Sequence, residues 1–248
     1  ETWSGTAYFS PHSQWKKVEV SEATKPPQRL GHTAVLLSAQ RMAIFGGERN
    51  THLFNDLWTF SFETSQWTSV AVRERACPNG VCGFRPSARY DHISFVHNSE
   101  LYIHGGLSSA GEVLGDLWSF DFNANEWRSH ELNGALSLLG HRFGHSVTEI
   151  GGIFYIFGGY SHAGTTNDFF ALDLEAESVT KLNSTSAIQP RFAHSSFSDS
   201  DSIYISGGND EDNNHMNGLW KYSTVDKVWS TTQIGNSQSC EHFAVPAK

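Results

Sequence analysis

Arg29-Leu30-Gly31-His32 is followed by Ala43-Ile44-Phe45-Gly46-Gly47, then Asn55-Asp56-Leu57-Trp58, then Trp67. The passage returns three times. Arg89-Tyr90-Asp91-His92 leads to Tyr102-Ile103-His104-Gly105-Gly106, Asp116-Leu117-Trp118 and Trp127. Arg142-Phe143-Gly144-His145 leads to Tyr155-Ile156-Phe157-Gly158-Gly159 and Asn167-Asp168-Phe169-Phe170. Arg191-Phe192-Ala193-His194 leads to Tyr204-Ile205-Ser206-Gly207-Gly208, Leu219-Trp220 and Trp229. A repeat of this kind decides the architecture before any single residue is given a chemical role.

The histidines His32, His92, His145 and His194 are spaced by 60, 53 and 49 residues, near the ~50-residue period of four-stranded propeller blades. Each copy holds four short β-type runs. In the first they are Thr33–Leu37, Met42–Phe45, Leu57–Phe62 and Gln66–Val72. Alternation places Trp58, Phe60 and Phe62 on one strand face. Paired glycines close each second run, and turn residues such as Glu63-Thr64-Ser65 separate the third run from the fourth. No helical period stands out. No copy can bury its apolar face alone, so the 248 residues read as one domain.

Eight Trp and 17 Phe supply core area that long aliphatics do not, and 22 Gly suit an all-β chain with many turns. A net charge of −9 argues against wholesale binding to a nucleic-acid backbone. No apolar run approaches the roughly 20 residues that span a bilayer. Cys77 and Cys82 bracket Pro78-Asn79-Gly80-Val81, a turn that can bring two thiols together. They form a local disulfide in an oxidising compartment, or two free thiols in a surface loop. Cys240 is left over, and Asn183-Ser184-Thr185 is a glycosylation triplet that matters only in a secreted chain. These features lean to an extracellular setting, with a cytoplasmic one as the alternative.

Paired glycines after a β run, an aromatic-rich strand, then a Trp eight or nine residues on resemble the kelch repeat over nearly the whole chain. The resemblance implies an all-β propeller with four complete four-stranded blades, at 29–72, 89–133, 142–183 and 191–234. In the third copy Val179 replaces the Trp of the fourth strand and Phe170 that of the third, which predicts thinner packing. Thr6–Ser10 and Gln14–Val18 align with third and fourth strands, so 1–20 is read as part of a blade. Residues 239–246 align with a first strand, His242 matching His194. A second strand is missing between these fragments and would leave open sheet edges. The chain is therefore expected to belong to a longer polypeptide, or another segment or chain completes the terminal blade.

Arg29, Arg89, Arg142 and Arg191 open the innermost strands and should ring the channel mouth. The resemblance to kelch ubiquitin-ligase adaptors implies that such arginines meet acidic peptides, best for Arg29 and Arg142, which keep the Gly two residues on. The alternative is that each Arg holds a neighbouring blade through backbone carbonyls or a carboxylate. The repeated histidines stand too far apart around a ring to converge on one metal ion. No metal site, cofactor or catalytic set is expected. The Tyr–Cys and His constellation of copper radical oxidases, which also use a kelch-like propeller, finds no match. The loop Asn209–His215 begins with calcium-loop spacing, then has His215 where Gly is required. Loops between second and third strands differ from copy to copy, as binding loops on a fixed scaffold do. They offer Arg49, His52, Phe54, Tyr160 and His162 as contacts. The segment Ala71–Ala88 is an insertion on the arginine face.

The resulting expectation is a non-catalytic scaffold that binds a protein or peptide, one with an acidic stretch, on the loop face around the channel. Carbohydrate or small-molecule binding and an enzyme on a propeller scaffold are the alternatives.

Overall fold

The computed structural model describes residues 3–4, 16–20, 24–73, 85–182 and 188–232. Within them the chain forms four four-stranded antiparallel sheets, each in simple sequential order, arranged as four blades of a β-propeller. Blade one comprises Thr33–Ser38, Arg41–Phe45, Leu57–Ser61 and Gln66–Ser69. Blade two comprises Ile93–His97, Glu100–His104, Leu117–Asp121 and Glu126–His130. Blade three comprises Ser146–Ile150, Ile153–Phe157, Phe169–Asp173 and Ser178–Leu182. Blade four comprises Ser195–Ser198, Ser202–Ser206, Leu219–Ser223 and Val228–Thr232.

Turn chemistry fixes the register. Asn98-Ser99 and Gly151-Gly152 link first to second strands with positive φ at both residues, the requirement of a two-residue turn that matches strand twist. Between third and fourth strands, one left-handed residue closes every blade: Ser65, Asn125, Glu177 and Lys227.

The interior strands of blades one to three are largely buried on both faces, whereas Leu219–Ser223 of blade four is mostly half-buried. Ala43, Phe45 and Leu57 of blade one meet Leu101, Ile103, Phe120 and Trp127 of blade two. Phe157 and Phe169 of blade three meet Ile203, Ile205, Tyr222 and Trp229 of blade four. The other face of blade one carries Ile44, Phe60 and Trp67, with Val18 and Val20 packed on it.

The seam between blades two and three differs from the expectation of thin packing. Val179 does stand in the place of Trp, but the connection into blade three folds as a short 3-10 turn, Leu132–Gly134, and a helix, α1, Leu136–Leu139. Leu132, Leu136 and Leu139 are buried in that seam with Phe95, Phe154 and Leu172, and α1 packs against Ser178–Leu182. Three leucines thus fill the volume of the absent indole. A four-residue helix is too short to show a period in the sequence.

At the N-terminus Trp3–Ser4 pairs with Lys16–Lys17. Thr6–Ser10, the thiols Cys77, Cys82 and Cys240, the acceptor Asn183 and the strand expected at 239–246 lie outside the described residues. No helix among the described residues is long and apolar enough to cross a membrane.

Candidate functional site

The arginines are buried. Arg89 is 0% exposed and Arg191 1%. Each sends Nη1 to the carbonyl of the first glycine of its own blade's pair: Arg29 to Gly46 (2.9 Å), Arg89 to Gly105 (3.0 Å), Arg142 to Gly158 (2.9 Å), Arg191 to Gly207 (2.9 Å). Arg29 also forks onto Asp56 at 2.5 and 2.9 Å, and Arg89 onto Asp116 at 2.6 and 2.7 Å. The same carboxylates accept the indole N–H of Trp58 and Trp118, both at 2.7 Å. Burial alone would raise these two aspartates; the bonds from Arg29 and Arg89 outweigh it and hold both below the ordinary carboxylate range. Arg142 is engaged differently. Its Nε and Nη2 donate to Leu139 O, at 2.8 and 2.5 Å, and Asp168 lies 3.7 Å away, bound by Lys181 at 2.6 Å. The guanidiniums of Arg29, Arg89 and Arg142 therefore clasp the blade internally, and a ligand reaching them would have to share or displace those partners.

The carbonyl and carboxylate partners expected of a neighbouring blade thus belong to the arginine's own blade, because Asp56 and Asp116 directly precede the third strand of that blade. Arg29 to Asp56 and Arg89 to Asp116 share a constant 27-residue offset.

The histidines lie at the blade seams. His92 Nε2 meets Thr33 Oγ1 at 2.8 Å and His194 Nε2 meets Ser146 Oγ at 2.9 Å, each on the preceding blade. Blade two has Ile93 where those blades have a hydroxyl, and His145 Nε2 instead meets His104 Nδ1 at 3.1 Å. Burial, reinforced by neighbouring arginines, pushes His92, His104 and His194 down to about 3, and His145 also falls well below its usual value. These rings are neutral seam fillers. Among the described residues no group of three or more His, Cys, Asp or Glu could hold a metal ion.

The third motif position binds the blades to one another. Asp91 N donates to Gly31 O (2.8 Å), Gly144 N to Asp91 O (2.8 Å) and Ala193 N to Gly144 O (2.7 Å). This chain of bonds requires a left-handed backbone at all four residues, with φ from 53° to 63°. Two are glycine; Asp91 and Ala193 adopt it at a steric cost. Asp91 also lies beside Glu48, and burial together with that charge pushes its carboxyl up to about 6.

The second motif position pairs with the loop that follows the glycines. Leu30, Tyr90, Phe143 and Phe192 each bridge to the residue after the paired glycines: Glu48, Leu107, Tyr160 and Asn209. Leu30 is 60% exposed. Phe143, Tyr160 and Phe192 cluster with ring centroids 5.3–6.1 Å apart.

The loop residues separate into two groups. Arg49, His52 and His162 are exposed, and His162 sits 5.7 Å from the ring of His141. Phe54 is half-buried under the Arg29 guanidinium, 4.1 Å from its ring, with His52 edge-on at 4.9 Å. Tyr160 belongs to the aromatic cluster with Phe143 and Phe192.

Comparison with known proteins agrees with this geometry. The KLHDC2/KLHL20/DRC7 Kelch-repeats domain matches residues 78–245. Tip elongation aberrant protein 1 of Schizosaccharomyces pombe is 32% identical over 222 residues, covering 85% of this chain and 18% of that protein. Human Kelch domain-containing protein 3 is 28% identical over 190 residues, 73% of this chain and 49% of that protein. The flagellar outer arm dynein alpha chain of Chlamydomonas reinhardtii is 30% identical over 136 residues, 54% of this chain and 3% of that protein. The chain spans half or less of each of these relatives.

Proposed function

This chain belongs to the kelch-repeat family, and from that premise we propose that it is a non-catalytic scaffold that binds a protein or peptide across its loop face. The observation that carries the reading is the mouth ring of Leu30, Tyr90, Phe143 and Phe192. A large apolar side chain recurs there in every blade, and Leu30 stands open to solvent. Tyr90, Phe143 and Phe192 are half-buried beside it; accessible apolar side chains suit the centre of an interface, and charged or polar loop residues suit its rim. Arg49, His52, Tyr160 and His162 supply that rim, while Phe54 braces Arg29. Arg29, Arg89 and Arg142 contribute by holding the mouth in shape.

The test is quantitative capture from a native extract with the wild-type chain, Leu30→Glu, and the outer-turn control Val225→Glu. Val225 is also exposed but lies between the third and fourth strands of blade four. Partners should fall at least tenfold with Leu30→Glu and stay unchanged with Val225→Glu, since a charge at an apolar interface centre costs more than ~1.4 kcal/mol. Equal recovery by all three chains would remove the mouth from the account.

A further inference from the structure

Two histidines of the loop face stand outside the repeat. His141 precedes the motif arginine of the third copy, where the other copies have Gln28, Ala88 and Pro190. His162 is the third residue after the paired glycines, where the others have Asn50, Ser109 and Glu211. Neither residue therefore serves the blade repeat, as the seam histidines do. His141 Nδ1 lies 2.7 Å from Val113 O. A carbonyl only accepts, so the ring proton sits on Nδ1 and the lone pair of Nε2 is left open. The ring is seated on Gly115, where a Cβ would stand 2.8 Å from His141 Cδ2. His162 lies at the turn of the hairpin formed by Tyr160–Ser161 and Gly164–Thr165. Ser161 Oγ ties that turn, donating to Gly164 O at 3.1 Å and accepting from Ala163 N at 3.2 Å. Both histidines are exposed, and their ring centroids are 5.7 Å apart with the planes inclined by 43°.

We propose that His141 and His162 form a two-histidine site for a divalent late transition-metal ion, Zn²⁺ or Cu²⁺. The motif histidines stand too far apart to share an ion; these two rings meet. Imidazole nitrogen suits both ions. A metal-ligating histidine usually donates its other ring N–H to a carboxylate or a backbone carbonyl, which fixes its tautomer and orientation. The bond from His141 to Val113 O is that arrangement, already made by the protein alone. An ion about 2.1 Å from a ring nitrogen lies roughly 3.2 Å from that ring's centre, so two coordinating rings at a tetrahedral angle stand about 5.2 Å apart. The observed 5.7 Å leaves only a small shift of the exposed His162 ring to close the chelate. The chain supplies two donors, and water or an atom of a bound molecule takes the remaining positions. The site stands independently of the protein-binding reading above.

The test follows the imidazole nitrogens of His141 and His162 by long-range ¹H–¹⁵N NMR while the whole chain is titrated with Zn²⁺. Mg²⁺, which prefers oxygen ligands, is the control. Reading the two rings directly separates this site from zinc taken up by cysteine thiols elsewhere. Both rings should shift together and saturate with Zn²⁺, His141 moving most at Nε2 and keeping its proton on Nδ1. Mg²⁺ should leave both unchanged. His141→Gln and His162→Gln should each weaken zinc binding at the surviving ring by about tenfold or more. Both positions are exposed, and thermal unfolding without metal checks that each variant is folded. His162→Gln, in a surface turn, decides the matter by itself if His141→Gln unfolds the chain. A response from one ring only, an equal response to Mg²⁺, loss of the Nδ1 proton of His141 on zinc binding, or undiminished binding by folded His162→Gln would each overturn the proposal.

Discussion

His92, His104 and His194 show how much a repeat asks of single side chains. Each sits between two blades with one ring nitrogen bonded and the other without a partner. Folded, they take up a proton only near pH 3; unfolded, they do so near 6.5. The unfolded chain therefore binds more protons as pH falls below about 6.5. Stability is fully present above that value and is lost toward pH 3, by up to ~1.4 kcal/mol per pH unit for each histidine. Asp91 acts in the opposite sense. Its folded carboxyl, at about 6, takes up a proton before the unfolded one does, so it favours the fold between about pH 6 and 4. One carboxylate does not offset three imidazoles. Urea unfolding at pH 7.5, 6 and 5 should show a steady loss of stability, and a flat profile would mean that the seams admit water. At this scale the sequence was legible for the histidines, whose wide spacing already argued for structure. The Arg–Asp clasp was harder to see, because the two residues lie on opposite sides of a hairpin and only a constant offset joins them. The mouth residues were missed because they vary in identity: Leu, Tyr, Phe and Phe share size, not chemistry.

At the scale of elements, strands were read well and the helical insert was not. Alternation, paired glycines and turn residues each mark a blade strand locally, so sixteen strands follow from short-range rules. The insert Leu132–Leu139 is different, since its structure depends on a space left by Val179 some forty residues later. That dependence makes a prediction. Leu139 is fully buried, and Leu139→Ala should destabilise the chain by about 2–5 kcal/mol. Its carbonyl also accepts from Arg142, but the substitution leaves the backbone group in place, so the loss reports the seam. The double variant Leu139→Ala/Val179→Trp should recover part of it, because an indole restores volume at the same seam. Thermal unfolding of the single and double variants reads both outcomes. A Leu139→Ala cost below about 0.5 kcal/mol, the level of an ordinary surface change, would show that the helix does not fill the seam.

Across the whole molecule, the ends of the chain and the face matter most. Blade one is covered by Val18 and Val20, whereas blade four turns a more polar face outward, with Phe197 and Tyr204 stacked at 4.8 Å and Lys221 near the Tyr204 ring. The proposal that a further strand or another chain completes the terminal blade belongs to this side. The binding reading belongs to the loop face, where Leu30 stands open to solvent, Phe143, Tyr160 and Phe192 cluster, and Arg29, Arg89 and Arg142 are held by carbonyls of their own blades. The measurement that tests this most directly is hydrogen–deuterium exchange of the chain with and without a captured partner. Protection should concentrate in peptides spanning 48–54, 107–114, 160–166 and 209–217, beside the mouth ring. Protection confined to the outer turns at 62–65, 122–125, 174–177 and 224–227 would contradict the account.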